Sequence, residues 1–281
     1  MQGALSGPMS APGREAAAPA SAPAARAGRL LARLLTEPLE GYEKSFKMSA
    51  GRLLGNRFLV GIPAAQMAPP KLFALCDELD MPGDFHSRLQ RELGGADTIH
   101  FGFEEAEGSG LFKLYLEYWK RLDSARAGGE ESVLLHRAFK WDALDHSRRA
   151  VADYRCFLRL SREQTLQRIA GIYRDDAHPA FGMARQLVGL AATRTSEKLM
   201  YLEVSEEGNP RASFDLNFHA ADFKLREIEP QLIAMSRHYA LPATQFAGLW
   251  SCIADQTLGH LSGGLSRDGR DFMTIYYDPR G

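Results

Sequence analysis

Residues Ile99 to Trp119 read IHFGFEEAEGSGLFKLYLEYW, two alternating runs around a turn rich in glycine and acid. In the first run Ile99, Phe101 and Phe103 share one face, and His100, Gly102 and Glu104 share the other. In the second, Phe112, Leu114, Leu116 and Tyr118 lie opposite Lys113, Tyr115, Glu117 and Trp119. A period of two with glycine between the runs predicts a β-hairpin. Its apolar faces require a covering layer. Its polar faces carry His, Glu, Lys, Tyr and Glu, where a solvated sheet face is ordinarily richer in Thr, Ser and Lys. They either line a polar cavity or face water, and the hairpin alone leaves both open.

Working outward, the same alternation recurs. Residues 42–63 hold two short runs around Gly51 and Gly55, a first hairpin. PPKLFALCDELDMP then places Leu72, Leu75, Cys76 and Leu79 at helical spacing, and Asp84 reads as the N-cap of a second helix. Beyond the central hairpin, residues 123–131 read as a polar loop. Val133–Asp142 and Ala152–Leu160 read as a strand pair. Ser161 with Gln164 forms a capping-box pattern ahead of helices at about 162–174 and 179–194. Lys198–Ser205 and Ala212–His219 make another hairpin, followed by helices near 222–239 and 243–254. LGHLSGGLSRDGRDFMTIYY closes the chain as a hairpin turning at Arg267-Asp268-Gly269.

Hairpins with one apolar face, separated mostly by amphipathic helix pairs, predict an α/β fold of the α+β type. About ten antiparallel strands either close into a barrel with the helices outside or stay open with helices on one face. Closure removes the exposed edges. His100-Phe101-Gly102 is echoed by His260-Leu261-Ser262, and Lys113-Leu114-Tyr115 by Thr274-Ile275-Tyr276, which supports a repeated ααββ unit.

Composition bounds the function. The 281 residues are 45% hydrophobic and 25% charged with a net charge of -1, the profile of a soluble domain and not of a nucleic-acid binder. No apolar run approaches the roughly 20 residues of a bilayer span, so no membrane role is expected. Cys76, Cys156 and Cys252 show no zinc or redox spacing, and a reducing cytoplasm is the expected home. Residues 1–28, mostly Ala, Pro, Gly and Ser, read as a disordered, dispensable tail ahead of a short amphipathic helix and a single domain spanning 29–281. Asp142, Asp145 and His146 read as a loop, so no metal site is assigned. Gly263-Gly264 reads as a hairpin turn or bulge, since no phosphate-loop motif surrounds it.

The ααββ order, the polar inner face and Lys113-Leu114-Tyr115 together resemble the ABBA-type prenyltransferases. That family includes bacterial aromatic, fungal indole and cyanobactin peptide enzymes. The resemblance covers residues 42–279 as architecture. It implies a transferase moving a prenyl group from a prenyl diphosphate to an aromatic or peptide acceptor inside a barrel lumen. Lys113 and Tyr115 would bind the diphosphate, with Tyr276, Lys140, Arg155, Tyr201 and His260 as further substrate contacts. Lys47 and Arg57 are other basic candidates. Glu104, on the same face as His100, would orient or deprotonate the nucleophile, with His100 as its catalytic partner. Chemically, a diphosphate leaving group needs cations, and a carbocation needs aromatic walls. One departure stands out: the later strands offer Tyr201 with Glu203, and Asp215 with Asn217 and His219. That acidic set suits a metal, a cationic substrate or a peptide amine. Magnesium could then help to hold the diphosphate. The competing reading is a non-catalytic small-molecule or peptide-binding accessory protein that uses the same cavity.

Overall fold

The computed structural model describes residues 22–106 and 109–279. In chain order it contains α1 (Ala22–Leu34), β1 (Gly41–Ser49), β2 (Arg52–Leu54), β3 (Arg57–Pro63), α2 (Pro69–Glu78) and α3 (Gly83–Glu92). The middle of the chain contributes β4 (Thr98–Ala106), β5 (Ser109–Glu117), α4 (Trp119–Gly128), β6 (Ser132–Asp142) and β7 (Arg149–Phe157). Then follow α5 (Arg162–Tyr173), α6 (Pro179–Ala191), β8 (Tyr201–Glu206), β9 (Asn209–Asn217), α7 (Glu229–His238), α8 (Ala243–Ile253), β10 (Thr257–Leu265) and β11 (Asp271–Asp278).

All pairings between these strands are antiparallel, and β11 returns to pair with β1 from Lys44↔Tyr277 to Ser49↔Phe272, which closes the sheet. β2 and β3 lie along the same side of β1, at Lys47–Ser49 and Gly41–Lys44, as two pieces of one strand broken at Gly55-Asn56. The result is a closed ten-stranded barrel, and closure leaves no free edge to aggregate.

The outward-facing rows and the helices make the core. Ile99, Phe101, Phe103, Phe112, Leu114 and Leu116 are essentially fully buried with residues of α1, α2 and α3. On the opposite side Phe214, Leu216, Leu261, Met273 and Ile275 pack with α5 to α8. Each buried side chain of this size stabilises the fold by roughly 1.5–3 kcal/mol. Trp141 anchors the first cluster and donates its indole N–H to the Leu79 carbonyl at 2.9 Å.

Several expectations shift. Residues 123–131 are not all loop. Residues 119–128 form α4, with Leu122 and Ala125 buried and Gly129 in the left-handed conformation at its end. Its small apolar face hid it, because a single turn of burial holds it. α1 begins at Ala22, with Ala24, Ala27, Leu30 and Leu34 buried, so the expected tail boundary at 28 cuts through a packed helix. Residues 1–21 and the turn residues Glu107 and Gly108 lie outside the described residues. Pro82, not Asp84, takes the N-cap position of α3, and Asp84 sits in the first turn, where its charge favours the helix dipole. The Ser161–Gln164 capping box is present, with both bonds formed, at 3.2 and 2.8 Å.

Gly263-Gly264 is neither turn nor bulge. It lies inside regular β10–β11 pairing. Gly264 has φ +145° and a Cβ there would meet the Ala212 carbonyl oxygen at 2.3 Å, so only glycine fits. Asp142 organises its loop, accepting from the backbone N–H groups of Leu144 and Asp145 at 2.9 and 3.2 Å.

Candidate active site

The parity of the central hairpin puts Lys113, Tyr115 and Glu117 inside the barrel, two residues apart along β5. Successive inward positions on a strand are about 7 Å apart, so these three side chains sample three levels of the lumen. They divide it into two chambers, each of about 430 Å³. Tyr115, Tyr154 and Tyr276 line both and stand at the boundary. The Tyr115 and Tyr154 rings lie 5.6 Å apart, edge to face, with their hydroxyls at 3.5 Å.

The first chamber is basic. Lys47, Arg57, Lys113, Lys140 and Arg211 enter it from β1, β3, β5, β6 and β9. Two carboxylates hold these cations. Glu104 meets Arg57 Nη1 at 2.5 Å, Lys113 Nζ at 2.7 Å and Lys47 Nζ at 3.5 Å. Glu206 meets Lys140 at 3.0 Å, Arg211 at 2.8 Å and Arg267 at 2.9 Å. Burial outweighs Glu104 at Lys113 and, with Arg57 and Lys47 nearby, lowers its ammonium to about 8. Burial also depresses Lys140 well below its ordinary value, with Arg211 adding to the effect. Although desolvation opposes ionisation of Glu104, the three cations together hold its carboxyl well below the usual range. An ammonium lowered by burial and by neighbouring cations gains from any further negative charge placed beside it.

The second chamber is lined by carboxylates and imidazoles. Glu117 Oε2 lies 2.7 Å from His100 Nε2, and Oε1 lies 3.7 Å from His136 Nδ1. Across the lumen His260 gives Nδ1–H to Asp215 at 2.8 Å while its Nε2 lies 3.6 Å from Glu43. His219 Nε2 lies 3.3 Å from the same Glu43 oxygen. Against the cost of burial, Glu43 and Asp215 raise His260 to about 9. Burial lowers His136 to about 4, with Glu117 only partly opposing it.

The sequence candidates divide accordingly. Lys113 and Lys140 share the basic chamber with Lys47 and Arg57, while Tyr115 and Tyr276 stand between the chambers. His100 and His260 line the acidic chamber, but Glu104 does not join His100 there, because four residues along β4 carry it to the basic end. Arg155 and Tyr201 are corrected outright. Arg155 is exposed on the outer face, near Ser132. Tyr201 is buried outside the barrel and donates to Glu203, which α5 engages through Arg168 at 2.6 Å. Arg211, Glu206, Tyr154, Glu43 and His136 escaped the sequence reading. Two were reachable by register, since His136 pairs with Glu117 and Tyr154 with His136.

The basic chamber does not fit magnesium. Among the described residues Glu104 and Glu206 are already held by lysine and arginine, and Asp268 by Arg270. The acidic chamber does contain two groups, His100–Glu117–His136 and Glu43–His219–His260, whose ligand atoms lie within 4.8 Å of one another. A third such group, His178, His238 and Asp271, lies outside the lumen. There His178 Nδ1 already accepts from Ala180 N–H, so its neutral ring carries the proton on Nε2 and offers no lone pair to a metal.

A closed ten-stranded antiparallel barrel wrapped by helices, with cations and tyrosines inside, is the ABBA-type prenyltransferase fold. The chain is similar in structure to the prenyltransferase PriB in its ternary complex with L-tryptophan and dimethylallyl thiolodiphosphate. That similarity has a TM-score of 0.59 at 13% identity and covers 85% of this chain and 80% of that one. It is similar to 5-dimethylallyltryptophan synthase from Streptomyces coelicolor, with a TM-score of 0.59, 13% identity and coverage of 85% and 81%. A 6-dimethylallyl tryptophan synthase matches with a TM-score of 0.57, 13% identity and coverage of 86% and 81%. At this identity the likeness is one of fold. No family model and no curated protein sequence matches the chain. Among the described residues no helix is long and apolar enough to cross a membrane.

Proposed function

We propose that the protein transfers a prenyl group from a prenyl diphosphate to an acceptor held in the same lumen. The observation that carries this reading is the sequence of environments along the barrel: a cluster of lysines and arginines, then three tyrosines, then a chamber of carboxylates and imidazoles. The diphosphate belongs with Lys47, Arg57, Lys113, Lys140 and Arg211. As the C1–O bond of the donor breaks, its electron pair leaves with the diphosphate, and preorganised cations stabilise that developing charge most where water is excluded. The prenyl carbon then lies among Tyr115, Tyr154 and Tyr276, whose ring faces stabilise a cation and keep water away. The acceptor approaches from the other chamber, where Glu117 and His100 are placed to receive its proton. Glu104 orients Arg57 and Lys113. Its carboxyl is held too acidic to serve as a base.

The test is calorimetric titration with dimethylallyl and geranyl diphosphates, with and without magnesium. Micromolar binding that does not need magnesium is expected. No binding of either donor would overturn the enzyme reading in favour of an accessory binding protein.

A further inference from the structure

Resting on that reading, we infer that the donor chamber has a mouth of its own. Prenyl diphosphate enters and diphosphate leaves at the hairpin-turn end of the barrel, while the acceptor uses the opposite end.

The topology sets the two ends. The short connections β6–β7, β8–β9 and β10–β11 share one end of the barrel, and the connections through α4, α5–α6 and α7–α8 share the other. Arg148 and Arg149 at the first short connection, and Ser266, Arg267 and Asp268 at the third, complete the wall of the basic chamber. Exposure rises in that direction. The side chains of Arg57 and Lys140 are 4% and 5% exposed, and those of Lys47 and Arg211 23% and 20%. Those of Arg149, Arg267 and Arg148 are 42%, 50% and 60% exposed. Among the described residues the cations thus form a continuous series from solvent to the depth of the chamber.

The series is not neutral. Eight lysines and arginines line the chamber against Glu104, Glu206 and Asp268. Outside the lining, Asp142 answers Arg148, Asp84 answers Arg149, and Arg270 answers Asp268. Six cations are then left to Glu104 and Glu206, a surplus of four positive charges with every lysine protonated and of two with Lys113 and Lys140 neutral. A cleft lined by one sign of charge focuses its field and speeds the arrival of the opposite ion.

The other end offers an anion no such path. No lysine or arginine lines the acceptor chamber. Its carboxylates Glu43, Glu117 and Asp215 are matched by His219, His100 and His260. Tyr115, Tyr154 and Tyr276 stand between that chamber and the cations, with the first two hydroxyls 3.5 Å apart. A diphosphate arriving from that side would have to cross the level where transfer takes place. After transfer the prenylated acceptor occupies that level, and the diphosphate lies beyond it on the side of Arg148 and Arg267. Two mouths let the products leave in opposite directions, so a bound acceptor does not delay the release of diphosphate.

The experiment plugs one mouth at a time. A Cys252→Ser background removes the exposed thiol and keeps the buried Cys76 and Cys156. In it, Asp268→Cys or Glu40→Cys is modified with a bulky polyethylene glycol maleimide. Asp268 lines the basic chamber, and the exposed Glu40 lines the acceptor chamber. Uptake and release of dimethylallyl thiolodiphosphate and of inorganic pyrophosphate are followed by rapid filtration, with the unmodified cysteine variants as references. Modification at position 268 is expected to slow uptake and release of both ligands about tenfold and to leave Kd within about twofold, because a plug changes the rates and not the site. Modification at position 40 should leave both rates unchanged. Slowing by the plug at 40 alone overturns the inference, as does equal slowing by both plugs or by neither. A plug at 268 that weakens Kd without slowing uptake also overturns it. Pyrophosphate binding without thiolodiphosphate binding removes the transferase reading, and the pyrophosphate rates still decide the route. A protein that binds neither ligand overturns both.

Discussion

Lys113→Met tests the donor site most directly. The substitution keeps the length of the side chain and removes only the ammonium. Glu104 is not orphaned, because Arg57 at 2.5 Å and Lys47 at 3.5 Å still hold it, so the fold should melt within a few degrees of the parent. Losing one charge-assisted contact to a diphosphate should cost about 1.5–3 kcal/mol, a roughly tenfold to hundredfold loss of affinity at pH 7. The pH dependence sharpens the test. In the free protein the Lys113 ammonium titrates at about 8. It is therefore about nine-tenths charged at pH 7 and about one-tenth charged at pH 9. A bound anion restores the charge, so the parent takes up a proton on binding at pH 9, at a cost of about 1.4 kcal/mol. The variant has no such group. The ratio of parent to variant affinity should therefore fall about tenfold between pH 7 and pH 9. Ionisation of the ligand affects both proteins alike and cancels. Calorimetry with dimethylallyl thiolodiphosphate at the two pH values reads this ratio. Equal affinities at pH 7, or a ratio that does not change with pH, would refute the placement of Lys113 in the donor site.

Two further outcomes follow from the same contacts. Deleting residues 1–28 should destabilise the protein by roughly 2–5 kcal/mol, because it removes buried Pro23, Ala24 and Ala27 and leaves Leu30 and Leu34 on too short a helix to hold them. An unchanged melting temperature would show instead that the start of α1 is dispensable. His260 should remain protonated at pH 8 in an NMR titration, since Glu43 and Asp215 raise it to about 9, and Asp215→Asn should lower that value toward 6.5. Its folded value lies above the unfolded one. The stability it contributes is thus complete below about pH 6.5 and lost as pH rises through about 9. Titration near 6.5 in the parent protein would contradict the pairing.

What the sequence made legible depended on how unambiguous each apolar row was. On β4 and β5 the outward row is an unbroken set of Ile, Phe and Leu, so parity admits one answer, and one slip would have turned the whole set over. The echo between hairpins was also real in register: His100 pairs with Tyr115, and His260 with Tyr276. On β8 the same logic misled. Its lumen row includes Leu202 and Val204. Its outer row includes the polar Glu203, which α5 answers with Arg168. Tyr201 and Glu203 thus looked like lumen residues because a helix far away in sequence supplied the partner. Irregular pairing adds a second obstacle. Register shifts between Leu134 and His136, Ser205 and Glu206, and Leu258 and His260 reset parity within single strands. No local pattern announces them.

Glu104 and His100 share the inward face of β4, as the alternation predicts. Four residues along an antiparallel strand, however, span about 13 Å, and in this barrel that distance separates a chamber of cations from one of carboxylates. Facing decides whether a side chain enters the lumen. Level along the strand decides which chemistry it meets there. Level can be read only once neighbouring strands are in register: Lys113 opposite Lys140, and Glu117 opposite His136. Those two cross-strand pairs already contain the polarity of the site. With β5 and β6 in register, two like charges meet at one level and need carboxylates beside them, which Glu104 and Glu206 supply. A carboxylate meeting an imidazole at the other level marks a separate environment, with Tyr115 between them.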